Sequence, residues 1–366
     1  MKVIFDYQIF FFQNHGGISR YFYELANELS KIKNCEPKII APYHKNEYLN
    51  QHKGKPFIFT LNAVWRKLFY NRILNARTFM NEIFAQKKAS LPDTVFHETY
   101  YANCFKVKAP RVITIHDMIY ELFNNQLEDE KIIIQTKKRA ILDADHVIVV
   151  SEHTKSDLLK FYPEVSGKIS VVYHGISPVD VNVVKAYTNK RPYILFVGNR
   201  DGYKNFATLL EIYASELTLN TAFDLIAFGG GSFTENESEA IVSLGVRGKV
   251  QQLSGDDNIL NTLYKGASVL AYLSLYEGFG FPVLEAMLFG CPVICSNGSS
   301  LPEVAGDCAQ KIDVSNKDET LNALLKVLFE KNDFNPMVEQ GKKRALAFTW
   351  KKCAEETFKV YQSLLN

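Results

Sequence analysis

Two carboxylates bracket a glycine corner in YEGFGFPVLEAMLFGCPVICS, residues 276–296, where Glu277 precedes Gly278 and Gly280 and Glu285 follows Phe281, Pro282 and Val283. Read as strand, loop and helix, SVLAYLSLY runs into Glu277, GFGF turns, and Pro282 opens a helix that stops at Gly290. Proline at the start of a helix and glycine just past its end follow the usual asymmetry. The turn glycines let the backbone come close to a ligand, and the free N–H groups of the first helical turn make an anion site. A diphosphate fits there. Glu285, expected in that first turn, can accept two hydrogen bonds from a vicinal diol such as the 2′ and 3′ hydroxyls of ribose. Glu277, on the strand side, can reach sugar hydroxyls. The bland alternative is a Glu285 that offsets the helix dipole, worth under about 1 kcal/mol, and a solvated Glu277. The glycines between the two favour the ligand reading.

Other polar and small residues gather where apolar runs give way to loops: Asp6, His97, His116 with Asp117, and Ser151 in the first half, Gly198 to Arg200 and Gly229 to Gly231 in the second. In open α/β sheets ligands bind beyond the carboxyl ends of the strands. An imidazole at the end of VITIH can donate a hydrogen bond to a sugar hydroxyl or position an acceptor; a buried structural histidine is the competing account. Asp117 and His97 are secondary candidates, because Asp117 can cap the next segment and His97 can support His116. Gly16 and Gly17 precede a helix in a second phosphate-cradling arrangement, with Arg20 adding charge in its first turn.

The elements that must position these residues alternate along the chain. KVIFD, PKIIAP, TVFHE, RVITIHD and HVIVVS are short apolar runs separated by amphipathic stretches, and YILFVGN, FDLIAFG, VQQLSG, SVLAYLS, PVICSN and AQKIDV repeat the rhythm. That pattern predicts buried parallel strands covered by helices, hence two doubly wound α/β domains. At 366 residues the chain suits two such domains. The prolines of ISPVDVNVVKAYTNKRP place the boundary near 176–192. The expected division is an N-terminal acceptor-side domain over 1–180, a C-terminal donor-binding domain over 190–348, and a final helix over 349–366 that packs back on the first domain.

Net charge is +2, but residues 1–185 hold 25 Lys and Arg against 19 Asp and Glu, and the remainder 17 against 21. A basic first half suits an anionic partner such as a phospholipid surface or a phosphate-bearing acceptor. Nucleic acid is disfavoured, because no recognition helix, zinc knuckle or aromatic RNA-binding signature accompanies the charge. The six cysteines include no CxxC pair, which predicts buried free thiols in a reducing cytoplasm rather than disulfides or zinc. No targeting segment is evident at the N-terminus.

EGFGFPVLE matches the Glu-x7-Glu signature of the family 4 (group 1) glycosyltransferases, and MLFGCPVICSNGSSLPEVAG resembles the rest of that family's donor-binding region. HGGISRYFYELANEL, TIHD, VSEHTKSDL, VVYHGIS and FVGNRDGYKN follow the family's order, so the resemblance extends over nearly the whole chain. It implies the GT-B fold, two facing Rossmann-like domains with an interdomain cleft and a C-terminal crossover helix. By resemblance Glu285 holds the donor ribose and Glu277 the transferred sugar, with the backbone from Phe279 to Val283 contacting sugar and diphosphate. Arg200 and Lys204 look like the family's diphosphate-binding cations. Two such charges can stabilise a leaving nucleoside diphosphate without a metal or cofactor; a solvated RxxxK loop is the alternative. Gly16 and Gly17 match the family's glycine loop, and His116 resembles the histidine that touches donor sugar or acceptor.

The implied activity is transfer of a hexose, mannose among the options, from a GDP- or UDP-linked sugar to a glycan or lipid-linked oligosaccharide. Retention of configuration and a role in polysaccharide or O-antigen synthesis at the inner membrane face are part of the same resemblance. Two rival readings are a nucleotide-sugar epimerase on the same scaffold and a non-catalytic glycan- or nucleotide-binding protein. Residues 61–88 read as a basic amphipathic helix, with Leu61, Val64, Trp65, Leu68, Phe69, Ile73, Ala76, Phe79, Met80 and Ile83 near one face and Arg66, Lys67, Arg72, Arg77, Lys87 and Lys88 beside them. Such a helix can lie peripherally on an anionic membrane; a core-facing helix with a solvated basic face is equally compatible. Asp143-Ala-Asp145 imitates a metal-binding DxD but precedes a strand, the wrong end of the sheet, and Asp256-Asp257 reads as a helix start.

Overall fold

The computed structural model describes residues 1–52, 54–60, 74–101, 107–123, 128–200 and 202–365. The chain divides into two compact units, Met1–Gly175 with Thr349–Asn366, and Ile176–Phe348. In the first unit the described strands are β1 Lys2–Phe5, β2 Glu36–Ile40, β3 Ile58–Phe59, β4 Thr94–Glu98, β5 Arg111–Ile115, β6 His146–Val149 and β7 Ile169–Val171. They form one parallel sheet in the order β3-β2-β1-β4-β5-β6-β7. Its longer helices are α1 Gly17–Leu29, α2 Leu74–Ala89, α3 Glu128–Asp143 and α4 Glu152–Phe161.

The second unit is built from β8 Tyr193–Val197, β9 Asp224–Phe228, β10 Val250–Leu253, β11 Val269–Tyr272, β12 Val293–Ser296 and β13 Gln310–Ile312. Their order is β10-β9-β8-β11-β12-β13, again parallel throughout. Helices α5 Phe206–Ser215, α6 Glu235–Ser243, α7 Asp257–Gly266, α8 Phe281–Leu288, α9 Lys317–Phe329 and α10 Lys331–Ala347 cover it. Both sheets are doubly wound. Every residue of β8, β9, β11 and β12 is buried, which is why these strands read as continuous apolar runs rather than alternating ones.

Helix starts follow side-chain caps. Ser151, one of the strand-end candidates, caps α4 by accepting from Thr154 N at 3.0 Å. Asp256 caps α7 through Ile259 N at 3.1 Å, and Thr234 and Glu237 form a reciprocal capping box on α6. Each such cap satisfies a backbone donor that helix geometry leaves orphaned.

The chain returns to the first unit as α11, Trp350–Ser363, whose apolar side (Trp350, Cys353, Ala354, Thr357, Val360, Tyr361) is buried and which packs on α1. Gly175 lies so close to this return that an added Cβ would stand 2.1 Å from Trp350 N; only glycine fits there.

The amphipathic segment proposed over 61–88 falls outside the described residues for 61–73. Its described end, α2, exposes Phe79, Met80 and Ile83 and buries Ala85 and Ala89. No described helix is long and apolar enough to cross a membrane. Cys35, Cys291, Cys295 and Cys353 are buried free thiols and Cys308 a partly buried one; Cys104 lies outside the described residues.

Candidate active site

In the second sheet strand order reverses between β8 and β11, and the crevice beyond the carboxyl ends of such a pair is where doubly wound folds bind ligands. The corner after β8 brings Lys204 there; the loop after β11 brings Glu277. Lys204 Nζ donates to Glu277 Oε1 at 2.6 Å and to Tyr272 Oη at 3.2 Å, with side-chain exposures of 14% and 11% for the ion pair. Among the described residues two of the ammonium's three N–H groups are engaged, which leaves one for an incoming anion.

Strand β11 ends at Tyr272, so Glu277 stands on a loop five residues beyond the strand rather than at its tip. That loop is held from a distance. Glu277 N donates to Ser299 Oγ at 3.1 Å, and the buried Ser300 Oγ shares its one proton between Glu277 O and Phe279 O, both 2.9 Å away. Ser299 adopts φ 56°, a left-handed conformation that costs a non-glycine residue about 1 kcal/mol.

Gly280, at φ 111°, is the N-cap of α8. The helix begins at Phe281, one residue before the expected Pro282, so Glu285 occupies its second turn rather than its first. Glu285 Oε2 accepts from Tyr264 Oη at 3.0 Å. At the far end Gly290 N donates to Met287 O at 3.0 Å and Cys291 N to Ala286 O at 2.9 Å, with Gly290 at φ 71°, a Schellman stop.

Arg200 is placed differently from Lys204. Its guanidinium donates to Glu237 through Nε at 2.8 Å and Nη2 at 3.1 Å, to Gly229 O at 2.6 Å and to Ser232 O at 2.9 Å, and it lies over the Phe233 ring. Its side chain is 2% exposed. Four of its five N–H groups are therefore committed. Burial opposes ionisation of Glu237, but the bonds from Arg200 and Thr234 outweigh it and hold its pKa below the usual value. The two cations expected to act together have separate carboxylate partners, and Arg200 itself ties down the 229–232 loop.

In the first unit His116 follows β5 directly. Its Nδ1 lies 3.4 Å from His174 Nε2, and its buried Nε2 has no hydrogen-bond partner among the described residues. Burial, then the Lys137 ammonium, push its pKa down to about 3, so it is a neutral imidazole at any ordinary pH. His97 is fully buried, with Nδ1 2.5 Å from Tyr361 Oη and Nε2 2.9 Å from Thr114 Oγ1. Both its nitrogens serve the interior, where they tie β4 and β5 to α11. Asp117 Oδ1 accepts from Ile119 N at 3.1 Å, the local cap weighed against a ligand role.

Gly16 is the N-cap of α1 in extended backbone and Gly17 its first residue. The Gln13 side-chain oxygen accepts from Ser19 N at 3.3 Å, supplying an uncharged acceptor to that helix start; Arg20 follows one residue on. At the reversal between β1 and β4, Asp6 accepts from Gln8 N, Thr99 Oγ1, Gln8 Nε2 and Thr99 N at 2.7, 2.6, 3.0 and 3.2 Å.

Residues 15–179 match the model of Glycosyltransferase Family 4, and residues 183–344 that of Glycosyl transferases group 1. The chain belongs to the group 1, family 4 glycosyltransferases. Among the relatives of this glycosyltransferase family member is an O-antigen chain mannosyltransferase B of Escherichia coli, 29% identical over 69% of this chain and 70% of that protein. Another is an MMP alpha-(1->4)-mannosyltransferase of Mycolicibacterium hassiacum, 27% identical over 63% and 57%. Among solved structures, Anabaena Alr3699/HepE in complex with UDP and glucose superposes with a TM-score of 0.72, at 16% identity over 99% of this chain and all of that one. That likeness establishes the fold, which is GT-B.

Several residues of this glycosyltransferase's site escape sequence reading. Tyr264, Tyr272, Ser299, Ser300, Glu237 and His174 act on residues far along the chain. Tyr272, His174, Ser299 and Ser300 lie inside runs named above, but nothing local marks their distant partners.

Proposed function

We propose that the protein transfers a hexose, mannose foremost, from a nucleotide diphosphate sugar to a hydroxyl of a glycan or lipid-linked oligosaccharide, with retention, in cell-surface polysaccharide synthesis. The observation that carries this reading is the Lys204–Glu277 ion pair at the sheet reversal, beside a glycine corner whose helix presents Glu285. Glu285 holds the donor ribose. Glu277 binds hydroxyls of the transferred sugar, and Lys204 with the amides of Phe279 to Val283 meets the diphosphate. Fixed charges aimed at a leaving group act without reorganising, which is where such sites gain most of their rate.

His116 contributes a neutral imidazole at the end of β5, beside the donor sugar or the acceptor. Gly16, Gly17 and Arg20 supply a second anion site. Arg200 supports the donor site by fixing the 229–232 loop, while Asp117 and His97 hold backbone and core. No metal or cofactor enters this scheme. The mannosyltransferase names of the relatives favour GDP-mannose; the UDP and glucose in the HepE structure keep UDP-hexoses as the second donor class.

Thermal-shift measurement against UDP, GDP, ADP and their sugar conjugates tests the donor site. A selective rise in melting temperature that Glu285→Ala abolishes is the expected result, and no rise with any nucleotide would overturn it. Peripheral contact with anionic lipid at the inner membrane face is proposed through exposed Phe79, Met80 and Ile83 with Lys87 and Lys88. Liposome co-sedimentation unchanged by removing those two charges would overturn that part.

A further inference from the structure

Among the hydrogen-bond partners of Glu285, Tyr264 is one whose position the surrounding packing fixes. Tyr264 is fully buried near the end of α7. Its ring lies nearly parallel to that of Phe289, 6.3 Å between centroids and 19° between planes, and Phe289 sits one helical turn after Glu285. The phenol and the carboxylate it contacts are thus steered by the same helix face. The end of α7 is itself held closely: a Cβ at Gly266 would stand 2.6 Å from Tyr187 O and 2.7 Å from Tyr193 Oη. Tyr193 Oη in turn donates to Leu263 O at 2.7 Å.

We infer that Tyr264 is a specificity-determining positioning residue, which by pinning Oε2 makes Glu285 selective for a cis-diol, the ribose of a nucleoside diphosphate, over a deoxyribose. The inference rests on the reading of Glu285 given above. A carboxylate accepts up to about four hydrogen bonds. With one taken on Oε2 the plane of the group is set before a ligand arrives, so the rotational freedom of a glutamate is not lost at binding. Two vicinal hydroxyls need both oxygens in one fixed plane. A single hydroxyl is satisfied by a carboxylate that swivels. Removing the phenol therefore weakens binding of the diol more than binding of the mono-ol, and the ratio between them falls.

The test is calorimetric titration of the full chain with GDP, 2′-deoxy-GDP, UDP and 2′-deoxy-UDP, on wild type, Tyr264→Phe and Glu285→Ala. For the base that binds, wild type is expected to prefer the ribonucleotide by about tenfold, the scale of one hydrogen bond to a charged group. Tyr264→Phe should reduce that preference to about threefold or less while keeping the same preferred base. Phe289→Leu, which keeps the hydroxyl but loosens its ring, should fall between, and it decides the matter if Tyr264→Phe does not fold.

A Tyr264→Phe or Phe289→Leu protein with the full wild-type ratio overturns the role of Tyr264. If Glu285→Ala loses the preference in the same experiment, the ribose reading survives that failure. A wild type without preference, or a Glu285→Ala protein that keeps it, overturns both.

Discussion

The N-terminal and C-terminal sheets reverse their strand order at equivalent places, β1 beside β4 and β8 beside β11, yet the two crevices hold opposite kinds of chemistry. At the first, Asp6, Gln8 and Thr99 close on one another, with Asp6 and Gln8 fully buried; burial pushes Asp6 up to about 6 in spite of its four donors. At the second, Lys204 and Glu277 form an ion pair that still reaches solvent. The topology supplies a place for a ligand in both sheets, and side chains decide whether it stays available. In the first unit the candidate chemistry has moved one strand outward, to His116 after β5, where it is neutral rather than ionic.

The largest expected effect lies at the second crevice. Lys204→Ala should lower kcat/KM about 10²- to 10³-fold, read as nucleoside diphosphate released from the sugar nucleotide that stabilises the protein, with little change in melting temperature. Asp6→Asn makes the opposite prediction. It places an amide donor among four donors, so stability to urea should drop by about 2–3 kcal/mol, while kcat per folded molecule stays within about twofold. An Asp6→Asn protein of wild-type stability that no longer turns over would break the contrast.

Arg200→Lys lies between the two crevices in kind, because its charge survives and its fork to Glu237 does not. A cost of about 1–2 kcal/mol in stability, with kcat changed less than about fivefold, is expected from steady-state kinetics beside chemical unfolding; a loss as large as that of Lys204→Ala would make Arg200 a diphosphate ligand after all.

The smallest effect concerns proton linkage in the first unit. Burial, and next the neighbouring His116, push His97 down to about 3 from the ordinary 6.5. A depressed histidine keeps its stabilising contribution above about 6.5 and loses it as pH falls toward 3, because the unfolded chain takes up a proton that the folded chain refuses. His97→Asn should flatten the fall in urea stability between pH 6 and 4 by about 1.4 kcal/mol per pH unit at most. An unaltered slope would show His97 to be protonated in the fold.

The strands of both sheets were legible because full burial makes each one an uninterrupted apolar run, and the Glu277–Glu285 corner was legible because its glycines, proline and carboxylates are neighbours in sequence. Two short strands were not: β3 has two residues and β7 three, all half-buried, too brief for periodicity to register. Arg200 shows the other limit. Its position after a strand suggested a phosphate ligand, but its partner Glu237 lies 37 residues away, and nothing near Arg200 announces it. Tyr264 and His174 escaped for the same reason: a hydrogen bond closed by the fold leaves no local pattern. Glu285 was assigned to the wrong turn because Phe281, rather than Pro282, proved to be the first helical residue, a shift of the size at which helix boundaries are ordinarily set.

Helix α11 belongs to the first unit although it is encoded after the second. During synthesis, domains tend to fold as they emerge, the earliest first. Here the opening unit must wait, with the flank of α1 uncovered and His97 lacking its Tyr361 partner, until some 170 intervening residues have left the ribosome. The second unit, contiguous in sequence, can finish before the domain that precedes it. Order of translation and order of completion are inverted, and the nascent chain carries an unfinished apolar surface for as long as that inversion lasts.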